Sequence, residues 1–441
     1  MSKKLTRRAF LGTTGLMAAG LAACGGTGGT EGGEGGEGGG EAAAGNIYWL
    51  NFKPELDETL QTIKGMYAEA TGIEPKIVTA ASGTYQQTLL AEMDKTDAPT
   101  LFVIGNAAGV TEWGDYAMDL KGTAIESELT TDAYNLYDAA GKLVSMGYCY
   151  ECYGIVANAD LIEKAGHNID DIKDFESLKT VVEDIHARAG ELGFDAFVAT
   201  DMDDSSSWRV TGHLANLVYY YEEQDQGAFD ANTSSITDTY LPNYKNLYDL
   251  MINNSLVEPT ALATGGHDPS TQFSNGEACF FLTGSWDYAG LAEAQPSVKM
   301  LPYYCGVAGE EKAGLNCGTE NCWAVNDKAS DADKRATMDF MVWLVSDPAA
   351  SALLVEQLGI MPFKNAVAST NGFLNDAAAY TDNGCYVMDW ATNYQPNVDQ
   401  YRAALVSALN AYNTDQSDAN WEAVRTAFVE GWAQQWAAAN A

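Results

Sequence analysis

From residue 46 onward, short apolar runs alternate with longer stretches whose apolar positions recur every three or four residues. Asn46–Asn51 (N-I-Y-W-L-N) reads as a strand. Between Pro54 and Ala70, Leu56, Leu60, Ile63 and Met66/Tyr67 fall near helical spacing, and Gly72 supplies a stop. Pro75–Thr79 is a second strand, a helix opens at Ser82-Gly83-Thr84 and runs to about Lys95, and Thr100–Ile104 is a third strand. Such alternation predicts a mostly parallel α/β sheet, whose ligands bind beyond the carboxyl ends of its strands. The loops there supply the first candidates for contact with a ligand: Lys53 and Glu55, then Ser82 and Tyr85, then Asn106.

Further along, residues 177–193 put Leu178, Val181, Val182 and Ile185 on one helical face, and Trp208–Tyr220 does the same with Val210, Leu214, Leu217 and Val218. Trp323-Ala324-Val325 reads as a strand, Ala332–Val345 and Asn420–Ala439 as helices.

The first 45 residues follow a different pattern. Lys3, Lys4, Arg7 and Arg8 precede an apolar segment from Ala9 to Ala23, which is the layout of an export signal. The segment is too short for a permanent span, which takes about 20 apolar residues. The run Leu21-Ala22-Ala23-Cys24-Gly25 resembles the bacterial lipobox, which implies a signal over 1–23 and a lipid on Cys24; Thr6–Leu11 also resembles a twin-arginine signal. Residues 25–45 are almost wholly Gly, Glu, Thr and Ala and read as a flexible tether. Its reach is roughly 25 Å.

A formal charge of −37 argues against nucleic acid or an anionic membrane surface as partner. The chain beyond the tether is long enough for a large core and two domains. Apart from Cys24 there are seven cysteines, an odd number; Cys149-Tyr-Glu-Cys152 has no second half-site, so these thiols read as small core residues. His167, His186, His213 and His267 show no ligand spacing, and Asp201, Asp203 and Asp204 fail the EF-hand pattern at Ser206 and Gly212. No metal or other cofactor is expected.

The order of lipobox, tether, strand-helix-strand and Ala98-Pro99-Thr100-Leu101-Phe102 resembles the extracellular solute-binding proteins of bacterial ABC importers, in the sugar-binding group that includes the maltose-binding protein. Gly141–Ser145 with Tyr153–Leu161 is similar to that family's crossover between lobes. Phe273-Ser274-Asn275-Gly276-Glu277-Ala278-Cys279 through Gly284-Ser285-Trp286 is similar to its F-x-x-G-x-A-x-M-x-x-x-G-x-W segment, departing from it at Cys279-Phe280. The resemblance implies an α/β fold of two lobes with a ligand cleft between them. It places the first lobe over 46–152 and 306–358, and the second over 153–305 and 359–441. The crossings fall near Glu151–Gly154, Tyr304–Gly314 and Gly359–Phe363.

Ten tryptophans and 23 tyrosines offer flat apolar faces with polar rims, which suit sugars. Trp208 with Arg209, and Trp286 with Asp287, stand at element ends facing such a cleft, whereas Trp49, Trp343, Trp421, Trp432 and Trp436 read as core. Glu151 and Tyr153 at the first crossing, Glu320, Phe363 and Trp390 complete the candidate set. No G-x-S-x-G, H-E-x-x-H or G-x-x-x-x-G-K-[ST] motif occurs, and no catalytic residue is assigned. The expectation is a monomeric, lipid-anchored protein on the outer face of the cytoplasmic membrane, not an enzyme. It captures a neutral carbohydrate and delivers it to an ABC permease. The alternatives are a binding protein for a peptide or polyamine, and a surface glycoside hydrolase acting through two carboxylates.

Overall fold

The computed structural model describes residues 45–440 apart from 82, 83, 204 and 231. The expectations for the signal, Cys24, the tether and Ser82 lie outside the described residues.

Among the described residues, twelve strands form two sheets. They are β1 (Tyr48–Asn51), β2 (Lys76–Thr79), β3 (Leu101–Val103), β4 (Asn135–Tyr137), β5 (Leu143–Gly147), β6 (Glu151–Asn158), β7 (Asp195–Val198), β8 (Ala278–Gly284), β9 (Val298–Leu301), β10 (Ala313–Gly318), β11 (Cys322–Val325) and β12 (Tyr386–Asp389). The first sheet runs β2-β1-β3-β11-β5-β4 and the second β12-β10-β6-β8-β7, with β9 sharing an edge of β6. Both sheets are mixed rather than mostly parallel. β1, β2 and β3 run parallel, whereas β11 lies antiparallel to β3 and β5.

Local sequence explains the elements. In the helix Asp57–Thr71 the stripe Leu60, Ile63 and Tyr67 is buried, and Gly72 ends it at φ 77°, where a side chain would be strained. Asp174 caps Phe175–Ala187 with a reciprocal Ser177 bond, and Leu178, Val181, Val182 and Ile185 face the core. The first core centres on Trp49, whose ring meets Trp323 at 5.9 Å and Phe340 at 6.4 Å. Trp432 is fully buried in the second core.

Three passages join the sheets. The chain leaves β5 at Gly147 and starts β6 at Glu151, so the first passage is Tyr148–Tyr150. It returns between β10 and β11 over Thr319–Asn321. That differs from the expected return near Tyr304–Gly314 and from a first-lobe piece beginning at 306. Ala313–Gly318 is a strand of the second sheet, antiparallel to β6 and parallel to β12. The helices Asp331–Ser346 and Pro348–Leu358 then cover the first sheet, and Ile360 bridges to Tyr150 at the first passage. Only after Phe363 does the chain reach the second sheet, through the helix Gly372–Asp382. Among the described residues no single helix is long and apolar enough to cross a membrane.

Phe363 is therefore a core residue, contrary to its expected place in the cleft. It is 4% exposed and stacks on Trp323 with ring centres 6.1 Å apart. Phe363→Ala is expected to lower the unfolding free energy by about 3–5 kcal/mol, read from urea denaturation, with native helix content retained. A loss below about 1 kcal/mol would contradict this packing.

Candidate functional site

The site begins where the two sheets meet. At the end of β1, Asn51 fixes the turn: its Nδ2 donates to the Lys53 carbonyl at 2.6 Å, and the Lys53 N–H donates to Asn51 Oδ1 at 3.1 Å. Lys53 Nζ then donates to Glu151 Oε1 at 2.9 Å and to Glu55 Oε1 at 3.0 Å. Glu151 is the first residue of β6, and its other oxygen accepts from Asn321 Nδ2 at 2.7 Å. One carboxylate thus joins the first sheet's loop to two of the three passages.

Lys53 and Glu151 have side chains only 7% and 2% exposed. Burial disfavours the Lys53 ammonium, but Glu151 and Glu55 outweigh it and hold the lysine charged. Burial also pushes the Glu151 carboxyl up, and Lys53 pulls it back. For Glu55, burial is outweighed by Lys53, and its carboxyl lies below the usual range.

Above this floor sits a group of aromatic rings. The His213 ring stacks on Tyr153 at 4.1 Å with 7° between planes. It meets Trp208 at 4.8 Å, Trp286 at 5.2 Å and Trp390 at 5.9 Å. Trp208 and Trp286 are half-exposed, and Tyr153 and Trp390 are buried behind them. Two glycines make room. A Cβ on Gly284 would collide with the Trp286 ring, and one on Gly318 would stand 2.7 Å from Trp390. Gly284 ends β8 and the turn Ser285–Asp287 presents Trp286; Arg209 and His213 come from the π-helical turn Arg209–Leu214.

The second cation of the site also has a carboxylate partner. Arg209 lies 4.1 Å over the Trp208 ring and 3.6 Å from Asp287 Oδ2. Burial raises the Asp287 carboxyl and Arg209 opposes that rise. Lys53 Nζ lies 5.4 Å over Trp286, so the first sheet's loop reaches the second sheet's aromatic ring. Glu320 is half-buried between Thr319 and Asn321, and its charge reaches Glu151 and Tyr153.

Several candidates fall elsewhere. Tyr85 is stitched into the first core: its hydroxyl accepts from the Val103 N–H at 2.7 Å and donates to the Leu50 carbonyl at 3.4 Å. Asn106 caps the helix Ala107–Trp113 by accepting from the Gly109 N–H at 2.7 Å. The Tyr85 hydroxyl is therefore committed within its own lobe, and Asn106 is committed through its Oδ1. The structure adds two residues to the site, His213 and Asn321. The first lies one π turn after Arg209 and the second follows Glu320, and adjacency to named candidates was the one signal for them.

The buried polar atoms Tyr153 Oη, Arg209 Nε, His213 Nδ1 and Trp390 Nε1 have no hydrogen-bond partner. They converge on one set of rings, where a bound molecule can meet them. Hollows elsewhere lack this chemistry: one of 320 Å³ is lined by His186, Asn253, Ser255 and Gln416, and one of 410 Å³ by Glu163, His167 and Asp171.

Among the described residues no group of His, Cys, Asp and Glu is placed to hold an ion. Asp201 accepts from the His267 N–H and ring, both at 2.8 Å, and Asp203 accepts from Ser205. Cys149, Cys152, Cys279, Cys305, Cys317 and Cys322 are buried free thiols, and Cys385 is half-buried.

Lys53→Met leaves Glu151 buried without its cation and is expected to cost about 3–5 kcal/mol of stability. Adding Glu151→Leu removes the stranded charge and should recover part of that loss. Denaturant titration of both variants checks this, and a double variant no better than the single would contradict the pairing.

Comparison places the fold. The structure is similar to the raffinose complex of the solute-binding protein RafE, with TM-score 0.67, 17% identity and coverage of 87% of this chain and 98% of that one. It is also similar to a chitin oligosaccharide binding protein (TM-score 0.68, 14% identity, 90% and 99% covered). The GacH receptor of Streptomyces glaucescens, solved unliganded and with acarbose, gives 0.63, 16%, 90% and 99%. No curated protein matches the chain in sequence. The family of bacterial extracellular solute-binding proteins matches residues 63–381, and the chain belongs to that family.

Proposed function

We propose that this protein captures a neutral carbohydrate in the cleft between its two lobes and presents it to an ABC permease. The observation that carries the reading is the ring cluster of Tyr153, Trp208, His213, Trp286 and Trp390, set above charged groups that are paired within the protein. Sugar C–H faces stack on such rings, and sugar hydroxyls both donate and accept. Lys53 is held by Glu151 and Glu55 and Arg209 by Asp287, so these charged groups already have partners within the protein and leave the rings as the principal surface for a ligand. The similar solved proteins include complexes with raffinose, acarbose and a blood group A-trisaccharide, which supports a sugar ligand.

Lys53, Glu55, Glu151, Trp208, Arg209, Trp286 and Asp287 make the ligand-facing set, with Tyr153 and Trp390 behind it and Glu320 at its edge. The lobes divide at Tyr148–Tyr150, at Thr319–Asn321 and after Phe363, and opening is a hinge motion about these passages. Lipid on Cys24 and the tether over 24–45 hold the monomer at the outer face of the cytoplasmic membrane, beside its permease. Membership of a family of binding proteins supports holding a ligand rather than splitting a glycosidic bond.

The test is a thermal-shift screen of the protein with raffinose, maltotriose, chitotriose, spermidine and a tripeptide, each mixture then checked by mass. A sugar at 100 times its dissociation constant is expected to add about 2.7 kcal/mol of stability and to remain intact. Trp286→Ala is expected to abolish that shift while the unliganded protein keeps its fold. A shift with spermidine or the tripeptide alone would overturn the sugar reading, and shortened sugars would make the protein an enzyme.

A further inference from the structure

Histidine spacing along the chain assigns none of the four a role, yet one of them occupies the middle of the aromatic group. His213 stacks on Tyr153 and is flanked by Trp208, Trp286 and Trp390 at 4.8, 5.2 and 5.9 Å. It is delivered there by a π-helical turn, a widened geometry that recurs at functional sites because it turns side chains toward one side. Trp208, Arg209 and His213 all face the cleft as a result. A histidine used only for packing would have its polar edge satisfied inside the protein. Here neither ring nitrogen has a protein partner: Nδ1 is buried without one, and Nε2 is left on the accessible side.

Its surroundings also set its charge. The charges that bear on the ring are Arg402, Arg209 and Lys53, all cations. Arg402 is held by donation from its Nε to Gln395 Oε1 at 2.8 Å, and its guanidinium packs against Gly212, where a Cβ would lie 2.8 Å from Cζ. Burial and these three cations keep the ring neutral, well below its ordinary titration range. A neutral ring carries one proton, and Nε2 is the nitrogen that a ligand can reach.

We propose that His213 is a specificity-determining residue whose Nε2–H donates to an acceptor oxygen of the captured sugar, a hydroxyl or the ring oxygen. This rests on the carbohydrate reading above. The neighbouring Tyr153 Oη, Arg209 Nε and Trp390 Nε1 are also donors without partners, so the ligand meets a donor-rich face here. Carboxylates that can accept from its hydroxyls belong to the same site: Asp287 beside Arg209 and Glu55 beside Lys53. The role of His213 is to meet a ring oxygen or a hydroxyl lone pair.

The experiment pairs calorimetry with histidine nitrogen NMR. Whichever of raffinose, maltotriose and chitotriose shifts the melting temperature is titrated into the native protein and into His213→Phe, which keeps a flat ring on Tyr153 and removes the N–H. The expected loss is about three- to tenfold in affinity. In the native protein, 15N spectra should show His213 as the Nε2–H form without titration between pH 5 and 8, and its Nε2 signal should move when sugar binds. Unchanged affinity in His213→Phe, or a His213 signal that titrates near 6.5, would overturn the proposal while leaving the sugar reading intact. Failure of the native protein to bind any of the three sugars would overturn both. If His213→Phe does not fold, His213→Gln against His213→Leu makes the same comparison, with the donor-bearing glutamine expected to bind better.

Discussion

A lysine that is 6% exposed must find an anion, and in this fold Lys53 finds one across the boundary between two sheets. Its partner Glu151 begins β6, and the second oxygen of that carboxylate is held by Asn321. Three stretches far apart in sequence meet at one carboxyl group: the end of β1, the start of β6 and the second passage between the lobes. Breaking such a pair is costly because a charge is left in a poorly solvated place, whereas forming it yields little net stability. What the pair supplies is a defined arrangement. The turn after β1, the entry to β6 and the Thr319–Asn321 passage can adopt few alternatives while all three groups remain satisfied.

The aromatic part of the site depends on that floor. Lys53 lies over Trp286, and Trp286 in turn borders His213 and Trp208. Gly284 and Gly318 determine where the indoles of Trp286 and Trp390 can lie, since a methyl group at either position would collide with a ring. The site is thus made by a buried ion pair beneath and by two missing side chains behind. Neither would function as a recognition surface without the other, because rings need a rigid backing and the charges need a dry one.

Much of this was legible along the chain, for identifiable reasons. Helical stripes such as Leu60, Ile63 and Tyr67, or Leu178, Val181 and Val182, depend on local periodicity, and they fold as read. Trp208 and Trp286 stood beside turn residues at element ends, a local feature too. Phe363 was read as facing a cleft and is instead stacked on Trp323, because an aromatic residue looks the same in either role until its partner across the sheet is known. The return passage was misplaced for the same reason: A-G-L-N-C-G carries no mark of which sheet it joins, and pairing of Cys317 with Cys152 decides it. Tyr85 and Asn106 sit where strand ends meet helices. Their polar groups serve those junctions, which residue type alone does not reveal. His213 was missed because its significance lies in four rings drawn from β6, the π turn, the turn after β8 and the stretch after β12.

The partnerless atoms bear on how the lobes move. Tyr153 Oη, Arg209 Nε, His213 Nδ1 and Trp390 Nε1 are shielded from water in this arrangement and bonded to nothing. Each such group is penalised by about 1–3 kcal/mol relative to a satisfied one. A ligand that bonds them lowers that penalty. In the proposed role it supplies acceptors to the Tyr153, Arg209 and Trp390 donors and does so while both lobes contact it, which is the differential interaction a population shift requires. Moving an equilibrium from 1:99 to 99:1 takes about 5.5 kcal/mol. A few satisfied groups of this kind, with stacking on two tryptophans, are of the right size to provide it. The same atoms that select the ligand would then also drive closure, so recognition and the signal to a partner would share one source of free energy.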